Sequence, residues 1–493
     1  MGILRIIAIC LLASASSGAA SSAAPSPSAL HLKTCTVGKS KLPAHCGILR
    51  VYENRATRTG RMINLHFVEV DAERPSHRGI FFNPGGPGGD DLSMMPYIVD
   101  GLFLKEMRTL HSTYNLVFID NRGTGKSHAM QCDLFPARDP APYYLQLWPE
   151  KQLRACRARL AKTTDLSMYT TDISAADLDE IRAALHYPKI VLDGGSYGTM
   201  FYLDYARRYP SHVESLVLRD VAPPGISTIP LPFAKGAQKA MTDLITDCSH
   251  DTTCHRSFPY FAGHFEALLH RFDRGPIPVR IINAATKKYQ NVQLSKEVFT
   301  DRLRDMLYSY DSAAYVPYIL EQFYDGNDVP LGRMIEIMTD GFGRGQNIGL
   351  NLSVTCAEDI PFITDQEIER TSTGTFQGDT RVRAQQRACQ IWNVHTASPD
   401  FATPVRSTAP ILMMSSAEDP ATPPQYGHAA LRYLPNARQI VIPFASHEDA
   451  IDCADDLIVQ FIRTHTANRL GPTQCTTTTH RPPFETSMKT FPT

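Results

Sequence analysis

The sequence predicts an α/β fold in which helices cover both faces of a mostly parallel sheet, with a large helical insertion that divides the sheet domain. Strand-like and helix-like segments alternate at both ends of the 493-residue chain, as they do in parallel sheets with crossover helices. Between residues 226 and 404 the pattern is mainly helical instead. A chain of this length can form a large core together with an inserted second unit.

The first strands are predicted from apolar runs that end at turn residues. Residues 62–70 and 79–83 are predicted strands, and residues 114–120 form a continuous apolar run that ends at an aspartate and a glycine-rich turn. Such runs are typical of buried parallel strands. Further strands are predicted at residues 190–192 and 213–218.

Two helices are predicted between these strands, and the alternation resumes after the insertion. Ser174 begins the first helix, with Asp177 three residues later as its capping partner, and residues 197–209 form the second. After the insertion, strands are predicted at 409–414 and 439–443, and helices near 424–434 and at 449–464.

The domain organisation follows from these segments. We expect residues 36–225 and 405–475 to form the two parts of one sheet domain, and residues 226–404 to form a helical cap. Residues 476–493 are rich in Thr and Pro, which predicts an extended tail.

Residues 1–24 have the features of an export signal. A positive charge at Arg5 precedes an apolar stretch, and small residues follow at 16–24. The stretch is too short for a stable membrane anchor, and the alternative interpretation is a buried N-terminal helix. We therefore expect a secreted or periplasmic protein.

The cysteines favour disulfides. Ten of the 11 remain when Cys10 is removed with the signal, and an even number is typical of exported chains. The sequence does not fix the pairing; joining neighbours in order is the working hypothesis, and a mixture with buried free thiols is the alternative. The expected pairs are Cys35–Cys46, Cys132–Cys156, Cys248–Cys254, Cys356–Cys389 and Cys453–Cys475. No Cys or Cys/His group has the spacing of a zinc site, so we expect no metal.

The charge balance argues against nucleic acid as a partner. Lys and Arg total 49 against 50 Asp and Glu, without long basic runs. A hydrophobic fraction of 43 % and a charged fraction of 20 % are typical of a globular protein.

The segment Gly194–Gly198 (GGSYG) predicts a nucleophile. It follows a strand and precedes a helix, and its glycines leave room for a sharp turn that exposes the Ser196 hydroxyl. The N–H of Tyr197, at the helix start, would point toward a developing oxyanion. The alternative is a glycine-rich turn with an idle serine.

A second glycine-rich loop, Asn83–Gly89 (NPGGPGG), follows another predicted strand. It lacks the signatures of phosphate-binding and dinucleotide-binding loops, so no cofactor is expected. Gly85 or Gly86 could instead supply a second oxyanion N–H, and the alternative is a plain tight turn.

A serine nucleophile needs a base and an orienting acid, which the last part of the chain supplies. Asp419 follows a predicted strand, and His447 follows the next one, so both would emerge at the sheet edge that displays Ser196. Glu418 is the rival acid. An isolated histidine is often a surface or capping residue, and the joint placement favours a base.

Together these motifs resemble the α/β-hydrolases of the prolyl-aminopeptidase and tripeptidyl-aminopeptidase type, which are serine peptidases. The resemblance rests on the loop 83–89, the segment 120–127, the serine segment 194–198 with the helix that follows it, and the acid turn 417–424. It implies Ser196 as nucleophile, Asp419 as acid, His447 as base, and Gly86 and Tyr197 as oxyanion donors. One departure is that Ser446 and Glu448 flank the base, where the family usually has glycines.

The resemblance also implies a substrate class. Family aminopeptidases hold the free amino terminus of a substrate with cap carboxylates, and Glu358 in the segment 355–359 is the candidate here. The alternative is a solvated acidic pair beside a disulfide. We expect an exported aminopeptidase acting on peptides; the alternatives are an exported esterase acting on small acyl substrates and a binding protein without catalysis.

Overall fold

The computed structural model describes residues 30–100, 104–447, 449, 452–471, 473, 480–489 and 491, so the predicted export signal lies outside the described residues. The strands are β1 (Leu30–Val37), β2 (Leu42–Tyr52), β3 (Met62–Val70), β4 (Gly79–Asn83), β5 (Asn115–Ile119), β6 (Ile190–Gly195), β7 (Val213–Arg219), β8 (Ile277–Ile282), β9 (Tyr289–Leu294), β10 (Ile411–Ser416) and β11 (Ala437–Ile442). The helices are α1 (Asp91–Asp100), α2 (Leu104–His111), α3 (Ala141–Leu145), α4 (Glu150–Leu160), α5 (Thr171–Ala184), α6 (Tyr197–Arg208), α7 (Leu231–His250), α8 (Thr252–Ser257), α9 (Phe261–Arg271), α10 (Lys296–Met306), α11 (Tyr310–Ala313), α12 (Val316–Tyr324), α13 (Val329–Thr339), α14 (Ile348–Glu358), α15 (Asp365–Ser372), α16 (Thr380–Trp392), α17 (Pro424–Ala430) and α18 (Asp452–Thr464).

Nine strands form one sheet in the order β1-β2-β3-β5-β4-β6-β7-β10-β11. The pairs from β1 to β5 are antiparallel, and every pair from β5 to β11 is parallel. The prediction of a mostly parallel sheet is confirmed. The strands β1 and β2 were not predicted; most of β1 is exposed, so no continuous apolar run marks it.

The inner parallel strands β4, β6, β7 and β10 are largely buried on both faces, whereas the edge strand β11 is partly exposed. In β6, Ile190 and Leu192 belong to one hydrophobic cluster and Val191 belongs to another, because alternate side chains of a strand point to opposite faces. The first cluster includes Phe201 of α6, and the second includes Phe461 of α18. Helices therefore cover both faces, as predicted.

The segment between β7 and β10 contains α7 to α16 and is mainly helical, in agreement with the sequence pattern. It also contains the antiparallel hairpin β8–β9, which was not predicted. Val279 and Ile281 of β8 are buried while the residues between and after them are exposed. This alternation is the usual signal of a half-buried strand, but it extends over too few residues to stand out among helices.

The helix α5 begins at Thr171, three residues before the predicted start at Ser174. The predicted capping pair is therefore wrong, since Ser174 and Asp177 both lie inside the helix. The Thr171 N–H donates to the Glu358 carboxylate at 2.5 Å. A residue of the cap segment therefore accepts the hydrogen bond of an N–H group in the first turn of α5. Asp177 instead accepts two hydrogen bonds from the buried Arg122.

Four of the five expected disulfides are present in the described residues. They are Cys35–Cys46, Cys132–Cys156, Cys248–Cys254 and Cys356–Cys389. The fifth expected pair involves Cys475, which lies outside the described residues. Such bonds are typical of chains that fold in an oxidising compartment. Among the described helices, none combines the length and apolar character needed to cross a membrane.

The predicted tail is held against the protein. Its described residues, 480–489 and 491, form no helix or strand, and Phe484 and Phe491 are buried. Arg481 donates to Asp247 of α7 at 2.6 Å and to Glu418 at 2.7 Å. The tail therefore links the cap to the turn that carries the predicted acid.

Candidate active site

Ser196 lies on a strained turn between β6 and α6. Its backbone has φ 51° and ψ −123°, a conformation that residues with a side chain rarely adopt. The flanking glycines allow it: a Cβ on Gly198 would lie 2.1 Å from the Asn83 carbonyl oxygen, and a Cβ on Gly194 would lie 2.8 Å from the Gly198 carbonyl oxygen. This is the geometry of a nucleophile elbow.

A hydrogen bond joins the predicted base to the predicted acid. His447 Nδ1 donates to Asp419 Oδ2 at 2.8 Å, and Asp419 is only 2 % exposed. Burial by itself raises the pKa of Asp419, but the neighbouring His447 and the hydrogen bonds from Thr422 outweigh burial and hold this pKa below its ordinary value. The carboxylate is therefore ionised and can orient the imidazole.

Thr422 is a third member of this group that the sequence analysis did not identify. Its hydroxyl donates to Asp419 Oδ2 at 2.6 Å and lies 3.1 Å from His447 Nδ1. Its N–H and that of Ala421 donate to Asp419 Oδ1 at 2.8 and 2.7 Å. The turn that follows Asp419 therefore fixes the position of its carboxylate. The sequence feature that could have identified Thr422 is its position three residues after Asp419, within that turn.

Ser196 and His447 line the same cavity, which has a volume of about 690 Å³ and is lined by residues of both the sheet domain and the cap. A pocket of this size is typical of small-ligand sites. The described hydrogen bonds of the imidazole lead to Asp419 and Thr422. In the reaction proposed below, the same imidazole also takes the proton of the Ser196 hydroxyl.

The glycine loop packs directly on the elbow. Gly85 and Gly86 have φ of 116° and 122°, and a Cβ on Gly85 would lie 2.7 Å from the Gly195 carbonyl oxygen and 3.2 Å from the Tyr197 nitrogen. The Gly85 N–H donates to Asn83 Oδ1 at 3.1 Å. Of the two glycines considered from the sequence, Gly86 therefore remains the better candidate for an oxyanion donor beside the Tyr197 N–H.

Asp220 is a second buried carboxyl group beside the base. A carboxylate oxygen of Asp220, a carboxylate oxygen of Asp419 and a ring nitrogen of His447 all lie within 4.8 Å of one another. Burial, followed by the negative charge of Asp419, raises the pKa of Asp220 to about 8, although His447 opposes this shift. The sequence signal was an aspartate at the carboxyl end of β7, between the strands that lead to Ser196 and Asp419.

These three residues are of types that bind metal ions, and among the described residues they form the group close enough to do so. Their contacts favour a hydrogen-bonded acid and base instead. Both oxygens of Asp419 accept hydrogen bonds from Thr422, and Oδ2 also accepts from His447 Nδ1. A metal ion at this position would have to displace those bonds.

Glu358 does not join the cavity wall. It is 2 % exposed, and its two oxygens accept hydrogen bonds from the Thr171 N–H and hydroxyl at 2.5 and 2.6 Å. Burial raises its pKa well above the ordinary value, although the bonds from Thr171 oppose the shift. The Thr171 hydroxyl also lies 2.8 Å from the Tyr197 hydroxyl, so Glu358 supports the elbow from behind. The structure therefore separates Glu358 from the position expected for an amino-terminus contact.

The neighbours of the triad candidates have separate roles. Glu418, the rival acid, pairs with Arg481 at 2.7 Å. The Ser446 hydroxyl donates to the Leu307 carbonyl oxygen at 2.5 Å, which ties the histidine turn to the cap. Glu448, the other departure from the family pattern, lies outside the described residues.

Tyr308 of the cap lies against the base and was not identified from the sequence. Its ring centroid is 4.8 Å from that of His447, in an edge-to-face arrangement. Arg304 Nη1 donates to the Tyr308 hydroxyl at 2.5 Å. The cap therefore contributes directly to the surroundings of the imidazole.

The sequence is similar to a known family and to several known proteins. A family model described as "alpha/beta hydrolase fold" matches residues 80–453. The serine protease Hip1 of Mycobacterium tuberculosis is 26 % identical over 432 residues, covering 78 % of this chain and 79 % of that protein. The tripeptidyl aminopeptidase of Streptomyces lividans is 30 % identical over 200 residues, covering 37 % of this chain and 36 % of that protein.

A third relative has a different activity in its name. Carboxylesterase B of Mycobacterium tuberculosis is 25 % identical over 456 residues, covering 85 % of this chain and 84 % of that protein. All three relatives have hydrolase names, and the family model spans both parts of the sheet and the cap between them. The chain belongs to the α/β-hydrolase family and is a serine hydrolase of that fold.

Proposed function

We propose that this protein is an exported aminopeptidase that releases residues or short peptides from the amino termini of peptides through an acyl-enzyme. The observation that carries the proposal is the Asp419–His447 hydrogen bond at 2.8 Å beside a cavity that also contains Ser196. The peptidase names of two relatives support the choice of substrate class.

The proposed reaction assigns a role to each group. The Ser196 hydroxyl attacks the substrate carbonyl carbon while His447 Nε2 takes its proton, and the resulting imidazolium is stabilised by the ionised Asp419. The N–H groups of Gly86 and Tyr197 hold the negatively charged oxygen of the tetrahedral intermediate. The imidazolium then gives its proton to the leaving amine, and water releases the acyl group by the same steps.

The cap supports an exopeptidase rather than an enzyme that cuts within folded chains. Cap residues such as Phe233, Tyr308 and Gln385 complete the cavity wall above Ser196. A site of about 690 Å³ that the cap roofs in part can hold a short peptide and restricts the access of folded chains.

An esterase is the second candidate, because a relative with that name covers 85 % of the chain. The decisive experiment compares free-amino peptidyl arylamides, the same arylamides with blocked amino termini, and short acyl esters. Turnover of the free-amino arylamides, lost on blocking, is expected. Efficient ester hydrolysis without arylamide cleavage would instead establish the esterase.

The catalytic role of Ser196 needs its own control. Ser196→Ala is expected to lower kcat by about 10⁴-fold or more while the thermal unfolding curve stays cooperative. Unchanged activity in this variant would mean that another residue is the nucleophile.

A further inference from the structure

A second group of charged side chains lies in the wall of the catalytic cavity, on the cap. It contains Asp301, Arg302, Arg304 and Asp305 of α10 and Arg381 of α16, and all five line the cavity. The four residues on α10 are between 2 % and 5 % exposed. We call this group the cap cluster.

The cap cluster has more positive than negative groups. The Asp305 carboxylate accepts hydrogen bonds from Arg302 Nη1 and Arg304 Nη2, each at 2.7 Å. Asp301 lies 3.3 Å from Arg304 Nη2 and 3.4 Å from Arg381 Nε. Three guanidinium groups thus share two carboxylates, and a charge without a counter-charge is costly in a buried site.

Two donors in the same wall have no acceptor. Among the described residues, neither Arg302 Nε nor the indole Nε1 of Trp148 has a hydrogen-bond partner, although both atoms are buried. Trp148 lines the cavity, and the guanidinium of Arg381 lies over its ring at 5.6 Å. An excess positive charge beside two unused N–H donors is the environment that an anion would satisfy.

The cap cluster is connected to the proposed catalytic base. Arg304 Nη1 donates to the Tyr308 hydroxyl at 2.5 Å, and the Tyr308 ring is 4.8 Å from the His447 ring. One tyrosine therefore separates the excess charge from the imidazole. Ser196 lines the same cavity as the cap cluster.

We propose that Arg302, Arg304, Arg381 and Trp148 form a subsite that binds a carboxylate of the substrate. The inference rests on the proposed function, since it takes the occupant to be part of a peptide bound for attack by Ser196. A carboxylate fits better than a phosphate, because a single excess positive charge matches a monoanion and a phosphate carries about −1.5 to −2 charges at neutral pH. A guanidinium also presents paired donors that match a carboxylate.

The test variant is Arg381→Met, because its removal leaves two guanidinium groups against two carboxylates. We expect it to fold, with an unchanged thermal unfolding midpoint. The matched control is Arg387→Met on the same helix; Arg387 is 57 % exposed and pairs with Glu297. The wild type and Arg387→Met should give the same results in the two measurements below.

The first measurement is the rate at which a neutral phosphonate labels Ser196, with N-acetylglycine or its uncharged amide as competitor. We expect N-acetylglycine to protect the wild type and Arg387→Met about tenfold better than the amide does, and to lose this advantage in Arg381→Met. Absence of labelling would refute the proposed function. Normal labelling with equal protection by both compounds would refute the subsite alone.

The second measurement identifies the source of the carboxylate. It compares kcat/KM for a short free-amino peptide with its carboxyl-terminal amide, and for peptides with Asp or Asn at the same position. An advantage of about tenfold in one comparison, absent in Arg381→Met, would assign the subsite to the terminal carboxylate or to an acidic side chain. Differences below about twofold in both comparisons would overturn the inference, and this wild-type result does not depend on the folding of any variant.

Discussion

Asp220 lies beside His447: a carboxylate oxygen of Asp220, a ring nitrogen of His447 and a carboxylate oxygen of Asp419 all lie within 4.8 Å of one another. The two carboxyl groups are in different states. Hydrogen bonds and the imidazole lower the pKa of Asp419, whereas burial and the charge of Asp419 raise the pKa of Asp220 to about 8. Asp419 is therefore the charged group that would orient the proposed base, and Asp220 is protonated at neutral pH.

The raised pKa of Asp220 predicts a specific effect on stability. In the unfolded chain an aspartate ionises near pH 4, whereas in the folded protein Asp220 keeps its proton up to about pH 8. Between these values the folded state binds more protons, so the contribution of Asp220 to the free energy of unfolding decreases as the pH rises.

Asp220→Asn removes this dependence, because the amide resembles the protonated acid and does not titrate. We expect the difference in thermal unfolding midpoint, variant minus wild type, to increase steadily from pH 5 to pH 8. Thermal unfolding at several pH values in matched buffers measures it. A constant difference over this range would show that Asp220 is already ionised in the folded protein.

Thr422 is predicted to position the acid. Its hydroxyl donates to Asp419 Oδ2 at 2.6 Å, and Thr422→Val removes this donor at nearly constant volume. We expect kcat to fall by about tenfold, since one hydrogen bond to a charged group is lost, and the pKa of Asp419 to rise. Thr422→Ser restores the hydroxyl and should recover most of the activity. Equal losses in both variants would point to a packing effect of the methyl group.

The elbow predicts an intolerance of side chains at Gly198. A Cβ there would lie 2.1 Å from the Asn83 carbonyl oxygen, so Gly198→Ala must displace the β4 end or the elbow. We expect loss of activity and a lower unfolding midpoint. Gly263→Ala is the control, because no atom lies within 4 Å of its Cβ position in α9, and alanine there should raise stability by roughly 0.5–1 kcal/mol. An active Gly198→Ala variant would contradict the elbow geometry.

The residues of the proposed triad were predicted from local sequence patterns. Ser196, Asp419 and His447 each follow a strand of the parallel part of the sheet, and parallel strands bring their carboxyl ends to one sheet edge. Residues that depend on contacts distant in sequence were not predicted. The cap cluster is an example, since Arg381 reaches Asp301 from another helix, and helical periodicity does not show which helices face each other.

For Glu358 the sequence suggested one contact and the structure shows another. The residues around it suggested a contact with the amino terminus of a substrate, but its partner is Thr171, which is 187 residues away in the chain. The two hydrogen bonds to Thr171 cap α5 and support Tyr197 through the Thr171 hydroxyl. The role of this carboxyl group is therefore structural in the geometry described.

Two substitutions at Glu358 separate this role from substrate binding. Glu358→Ala leaves the buried Thr171 N–H without an acceptor and should lower the free energy of unfolding by about 2–4 kcal/mol. Glu358→Gln can still accept from the Thr171 N–H and donate to its hydroxyl, so it should retain most of the stability. Urea unfolding measures both effects. The ratio of kcat/KM between free and blocked amino termini should be the same in Glu358→Gln and wild type, because the side chain does not face the cavity; a stable Glu358→Gln protein that no longer prefers free amino termini would restore the substrate-binding role.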